Sequence, residues 1–222
     1  MSTAEGPSRR HDEESDPWVD ESLQWRRCYD ETEAELDITL SNAGAETLLR
    51  YYPRVRTIYV RFQPDEEKRT HSVTTESIEA MFSTLGDHPS IEKLVLDNLE
   101  GMEDGVNCQC QFPIRALTFF IHKCRKLKSV LLDIGTAIAG GPNDGATFLK
   151  AIKDHPVLDT LEIGDFGAGT SSISASEFSP LMVPKWVELT LTNTGDQITA
   201  EQVDLIVESP CLRKLLVNTS AS

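Results

Sequence analysis

Two apolar rhythms alternate along this chain. The first is short and reads apolar-x-x-apolar-x-apolar. It occurs at Val55, Ile58, Val60; at Ile91, Leu94, Leu96; at Leu127, Val130, Leu132; at Leu158, Leu161, Ile163; at Trp186, Leu189, Leu191; and at Leu212, Leu215, Val217. A weaker copy stands earlier, at Ile38 and Leu40. The copies start 36, 36, 31, 28 and 26 residues apart. The last two apolar positions of each copy alternate with mostly polar residues, the signature of a half-buried strand. Pro53, Pro89, Pro156, Pro184 and Pro210 lie just upstream of five copies, and Cys124-Arg125-Lys126 takes that place before the third.

Between the copies the period lengthens to that of a helix. The spacing predicts a helix over Ala43 to Tyr51 with Leu48 and Leu49 inward. A second starts at Thr75, capped by Thr74 or Thr75, with Ile78, Met81, Phe82 and Leu85 inward. A third spans Ile114 to Cys124. In a fourth, capped by Asp144, Ala146, Phe148, Leu149 and Ile152 point inward. Residues 177–182 contain Pro180 and hold a turn or two at most. Thr199 caps a last helix, Ala200 to Glu208, with Val203, Ile206 and Val207 inward. Proline at a helix exit ends the helix and sets the next residues extended. Short strands joined through helices must pair parallel. The pattern therefore predicts one parallel sheet in sequence order, with strands near 38–40, 58–60, 94–96, 130–132, 161–163, 189–191 and 215–217. The helices lie on its other side, with Leu94, Leu96, Val130, Leu132, Leu161 and Ile163 in the inner core. A single unit cannot bury its apolar side alone, and stacked units can.

These copies resemble leucine-rich repeats of the long, helix-bearing subclass similar to ribonuclease inhibitor. Residues 91–99 (Ile-Glu-Lys-Leu-Val-Leu-Asp-Asn-Leu) and 158–163 (Leu-Asp-Thr-Leu-Glu-Ile) carry the match best, and it covers about residues 36–218. The resemblance implies an α/β horseshoe solenoid of six to seven repeats over 36–222, strands concave and helices convex. The sequence departs from the family where Asn or Cys belongs at position nine, which here holds Gln63, Leu99, Gly135, Phe166, Thr194 and Ser220. Loops 63–74 and 100–112 read as insertions.

The residues ahead of the copies behave differently. Residues 1–17 are acidic, nearly devoid of core-forming side chains, and expected to be disordered. Trp18, Val19, Leu23 and Trp25 then fall on one helical face, so residues 18–35 read as an N-terminal capping helix or as an acidic-aromatic motif for a partner. In all, 36 acidic and 21 basic residues give a formal charge of −15 over 222 residues. That balance argues against a nucleic-acid binder and against a polybasic membrane anchor. No run of apolar residues is long enough to span a bilayer, and no signal peptide stands at the start. The chain reads as cytoplasmic or nuclear, not secreted, and the five irregularly spaced cysteines as no disulfide framework.

Candidate chemistry is thin. The glycine-rich loop 135–145 follows a strand and precedes a helix, but no Lys follows its glycines as a phosphate loop needs. Asp165-Phe166-Gly167 copies a kinase tripeptide without the rest of the kinase set. Cys108, Cys110, His122 and Cys124 are the one metal-like group, but His122 and Cys124 sit two apart on a helix and point away from each other. His88 and His155 both precede prolines at equivalent helix-to-strand turns and read as turn residues. No catalytic residue, cofactor or metal is expected.

What remains is surface. The strand positions facing away from the helices place Tyr59, Val95 and Leu131 on consecutive strands. Arg61, Lys93, Asp97, Asp133 and Glu162 lie around them. An apolar row rimmed by charge suits a partner site. The reading is a non-catalytic protein-protein interaction scaffold that binds a protein partner through this face. One alternative is an open α/β enzyme or nucleotide-binding domain using loop 135–145. Another is a piece of a larger repeat protein, since no polar capping helix follows Val217.

Overall fold

A computed structural model gives the architecture. It describes residues 32–37, 41–61, 73–97, 112–133, 138–140, 143–164, 180–192 and 200–217. In chain order the elements are β1 (Glu33–Asp37), α1 (Ser41–Tyr51), β2 (Thr57–Arg61), α2 (Thr75–Gly86), β3 (Lys93–Asp97), β4 (Phe112–Pro113) and α3 (Ile114–Lys123). They continue with β5 (Ser129–Asp133), β6 (Ile138–Ala139), α4 (Asp144–Asp154), β7 (Thr160–Gly164), β8 (Glu188–Leu191), α5 (Ala200–Val207) and β9 (Lys214–Val217).

Seven strands form one open sheet in the order β1-β2-β3-β5-β7-β8-β9, every neighbouring pair parallel. The register aligns equivalent positions of the sequence copies: Ile58, Leu94, Val130, Leu161, Leu189 and Leu215 form one row across the sheet. That row and its companion (Val60, Leu96, Leu132, Ile163, Leu191) are buried, apart from the half-buried Leu215. They share one core with Leu48, Ile78, Met81, Phe82, Leu117, Phe120, Phe148, Leu149 and Ile152 of the helices. One face of the sheet is thus covered by helices, with α1 packed on α2, α2 on α3 and α3 on α4.

Local chemistry explains the helix limits. Of the two threonines the sequence offers as cap, Thr74 is the one that caps α2, and the Thr74 and Ser77 side chains exchange bonds with each other's backbone N–H, a reciprocal capping box. In α4 the cap position falls on Asn143, which makes no side-chain capping bond. Asp144 is instead the first helical residue and accepts from Arg115 Nε at 3.0 Å, tying α4 to α3. Phe112 and Phe120 each meet Phe82 edge-on, which locks α3 against α2.

Several expectations are corrected. The first strand is Glu33–Asp37, so residues 33–35 are strand and not the end of a capping helix. Ala34, Leu36, Ile38 and Leu40 alternate without a break, and a period of two fits any register four residues apart. Residues 1–31 and 38–40 lie outside the described residues. Ala146 and Val207 are exposed and Leu49 and Val203 are half-buried, where all four were expected inward. The two-stranded parallel ladder β4-β6 was not foreseen; its strands are too short to show a period.

Candidate functional site

The sheet face turned away from the helices carries the candidate residues, and strand alternation puts them there. Its central row reads Glu35, Tyr59, Val95, Leu131, Glu162, Thr190, Leu216 across β1, β2, β3, β5, β7, β8 and β9. Tyr59, Leu131 and Glu162 are half-buried, as are Arg61 and Lys93. Val95 is only 5% exposed. It does not join Tyr59 and Leu131 as an open apolar row, since so little of it reaches water. Tyr59 and Leu131 are therefore separated by a filled position, about 9.6 Å apart at two strand spacings. Thr190 is buried too, at 4% exposure. Asp97 pairs with Arg61 in register, and Asp133 with Gly164; their side chains lie outside what the structure describes.

The site gains one residue that the sequence reading missed. Glu35, placed by β1 in the row of Tyr59, holds Arg61 through an ion pair of 3.5 Å, and the carboxylate side chain is 11% exposed. The Arg61 guanidinium lies 5.7 Å from the centre of the Tyr59 ring, within cation–π range. Arg61 is thus held between an acid and an aromatic ring. The signal for Glu35 is the alternation of residues 33–37, of which 33–35 fall in the stretch expected to be the capping helix.

The candidate chemical groups come apart. His122 is exposed at the end of α3, whereas Cys124 is buried. The Cys124 Sγ donates to the Ile91 carbonyl at 3.4 Å, and burial pushes its thiol pKa up to about 12, so it is neither a ligand nor a nucleophile near neutral pH. Among the described residues no three His, Cys, Asp or Glu side chains gather as a metal-binding group. Cys108, Cys110 and 165–167 lie outside the described residues; of loop 135–145, Ile138–Ala139 forms β6 and Asp144 opens α4.

The two histidines have a structural role that can be read atom by atom. His88 Nε2 lies 3.0 Å from the Tyr52 carbonyl and its Nδ1 accepts from Ser90 N–H. His155 Nε2 lies 3.0 Å from the Cys124 carbonyl and its Nδ1 accepts from Leu158 N–H. A carbonyl can only accept and a backbone N–H can only donate, so both rings are neutral with the proton on Nε2. Each ring ties its own turn to the equivalent turn one copy earlier. Cys124, through Ile91, and Ser209, whose Oγ donates to the Trp186 carbonyl at 2.9 Å, do the same from equivalent positions. In the fifth copy, where Val183 stands at that position, Lys185 Nζ reaches the Ile152, Lys153 and His155 carbonyls instead. Burial pushes the Lys185 ammonium down to about 8, against the opposing pull of Asp154 and Asp159.

No family model matches the chain, and no curated protein matches it.

Proposed function

We propose that this chain is a leucine-rich-repeat-type solenoid that acts as a non-catalytic scaffold, binding a protein partner on the sheet face turned away from the helices. The observation that carries this reading is the Glu35–Arg61–Tyr59 group on that face. It presents an aromatic ring and a guanidinium already fixed in position, which lowers the ordering cost of an interface. Aromatic and arginine side chains are the usual anchors of such interfaces. Leu131 and Glu162 extend the contact along the central row, and Lys93 borders it.

The rival reading, an open α/β enzyme of doubly wound type, needs a reversal of strand order, because ligands there sit at the switch point. The strand order here runs in sequence without reversal, which favours the scaffold. Among the described residues no helix is long and apolar enough to cross a membrane.

The test is affinity capture on the purified chain, with bound proteins identified by mass spectrometry. The captured partner is then titrated against Tyr59→Ala, Glu35→Gln, Leu131→Ala and Lys150→Glu, the last on the helix side. The expected outcome is at least a tenfold weaker Kd for Tyr59→Ala, a smaller loss for Glu35→Gln and Leu131→Ala, and no change for Lys150→Glu. A partner that binds the Tyr59→Ala, Leu131→Ala double variant as tightly as the parent, and loses affinity for a helix-side variant, overturns the reading.

A further inference from the structure

Cations recur at the end of the sheet where strands begin, interleaved with Glu92, Asp159 and Glu188. Arg54 and Arg56 precede β2, Arg125, Lys126 and Lys128 precede β5, and Arg213 and Lys214 mark the start of β9. All seven are exposed. They line the edge at which strands begin. A cation in the last turn of a helix, such as Lys123 or Lys153, answers the helix dipole. These seven lie beyond the helix ends, so the dipole does not account for them.

The densest part surrounds Glu92. Its N–H donates to the Arg56 carbonyl at 2.8 Å, and Lys128 N–H donates to the Glu92 carbonyl at 2.7 Å. Arg56, Glu92 and Lys128 therefore stand side by side on consecutive strands. Lys128 Nζ donates to Glu92 Oε2 at 2.9 Å. That bond, with smaller contributions from Arg56 and Lys126, holds the Glu92 carboxyl below its usual range. The same row runs on to Asp159, whose N–H donates to the Lys128 carbonyl at 3.1 Å. Two carboxylates, Glu92 and Asp159, against the four cations Arg56, Arg125, Lys126 and Lys128 leave this surface positive, although the chain as a whole carries −15.

The same row of backbone bonds continues to Thr32, whose carbonyl accepts from Arg56 N–H at 2.7 Å and from Thr57 N–H at 3.0 Å. Thr32 is the point at which the N-terminal part of the chain joins the described fold, so it joins at the basic edge, beside Arg56. Residues 11–21 hold six acids (Asp12, Glu13, Glu14, Asp16, Asp20 and Glu21) and no Lys or Arg.

We propose that this acidic stretch, residues 11–21, docks within the same molecule on the basic edge formed by Arg56, Arg125, Lys126 and Lys128. Reach is ample: β5 lies three strand spacings from β1, about 14 Å, and a chain as long as that separating Glu21 from Thr32 can span at most about 35–40 Å. Exposed ion pairs are individually weak, but a tether of this length supplies a millimolar effective concentration. A free nucleic acid has no such tether and meets a net negative chain.

Zero-length carbodiimide crosslinking of the full chain, read by peptide mass spectrometry, tests this. In 20 mM salt the carboxylates of 12–21 should couple to Lys126 and Lys128 at several times the yield seen at Lys150, and 0.5 M NaCl should suppress that excess. In an equal mixture of 14N- and 15N-labelled chains, the products should be unmixed. A second measurement does not depend on coupling: neutralising Asp12, Glu13, Glu14 and Asp16 to their amides should raise the acetylation rate of Lys126 and Lys128 severalfold and leave Lys150 unchanged. Coupling spread evenly over Lys126, Lys128 and Lys150, mixed-isotope products, or unchanged acetylation rates overturn the proposal. So does micromolar binding of a single-stranded oligonucleotide to the intact chain at 0.15 M salt.

Discussion

Acidification should weaken this fold between pH 6.5 and 5.5, and His88 and His155 are the reason. Both are nearly buried, at 4% and 6% exposure, and both rings have each nitrogen committed. A proton added to Nδ1 would face the N–H of Ser90 or Leu158, a donor against a donor. Burial is the largest cause holding both pKa values below the ordinary histidine value. The Tyr52 and Cys124 carbonyls oppose that shift, while Lys185, Arg125 and His122 add to it at His155. With the folded pKa below the unfolded one, the unfolded chain binds more protons as pH drops below about 6.5. The contribution of each ring is therefore fully present above pH 6.5 and is lost progressively down to the folded pKa. Linkage limits the loss between pH 7.5 and 5.5 to about 1.4 kcal/mol for each histidine, or about 2.8 for both. Carboxylates begin to titrate lower, near pH 4–5, which leaves this window to the imidazoles. Urea melts at the two pH values measure it. The His88→Ala, His155→Ala variant should lose several kcal/mol at pH 7.5, since backbone donors and acceptors lose their partners, and its stability should be nearly flat from pH 7.5 to 5.5. A parent protein whose stability is constant or rises on acidification over this range, or a double variant that keeps the parent's pH dependence, refutes the assignment of neutral, doubly bonded rings.

Two further outcomes concern packing. Leu132→Ala or Leu161→Ala should each cost roughly 2–5 kcal/mol, since Leu132 is fully buried and Leu161 is 1% exposed; a loss below about 1 kcal/mol in denaturant melts of both would contradict the buried row. Gly86→Ala should destabilise even though alanine is the better helix former. A Cβ there would lie 2.7 Å from Lys123 Cβ, so α2 and α3 would have to move apart, and a higher Tm for the variant would contradict that close approach.

Much of the fold was legible because one periodic pattern recurs. The apolar positions of six copies named the inward rows of β2, β3, β5, β7, β8 and β9, buried except at Leu215 and Val217 of β9, a threonine cap at 74 or 75 followed from residue type, and the span of α3 followed from apolar spacing. Legibility failed where the pattern is degenerate or very short. The unbroken alternation of residues 34–40 fits two strand registers, which misplaced β1 and hid Glu35. Phe112–Pro113 and Ile138–Ala139 are too short to declare themselves. The candidate site was half legible: alternation assigned Tyr59, Arg61, Lys93, Leu131 and Glu162 to the outer face. It could not tell that Val95 would be buried, nor that Arg61 would be held by Glu35.

The six residues at position nine, where leucine-rich repeats hold Asn or Cys, lie outside the described ones. A ladder exists at another place, three residues before each copy begins, and reach decides its rungs. The long rings of His88 and His155 extend to the carbonyl of the equivalent residue one copy earlier. The short Cys124 and Ser209 reach the carbonyl of Ile91 and of Trp186, each the first residue of the preceding copy. The last rung should be the most telling, because the last copy is the least covered: Leu215 and Val217 are half-buried where their counterparts Leu189 and Leu191 are fully buried, and Leu216 is 48% exposed. With little apolar burial holding β9, the Ser209 bond, worth about 0.5–1.5 kcal/mol net, is a large share of its attachment. Ser209→Ala should therefore speed amide exchange at Leu215–Val217 by about threefold to tenfold. Exchange in β3 and β5, set by global unfolding, should barely change. Equal acceleration across the whole sheet would show that the last copy unfolds only with the rest, and unchanged exchange at β9 would show that Ser209 bears no part of its attachment.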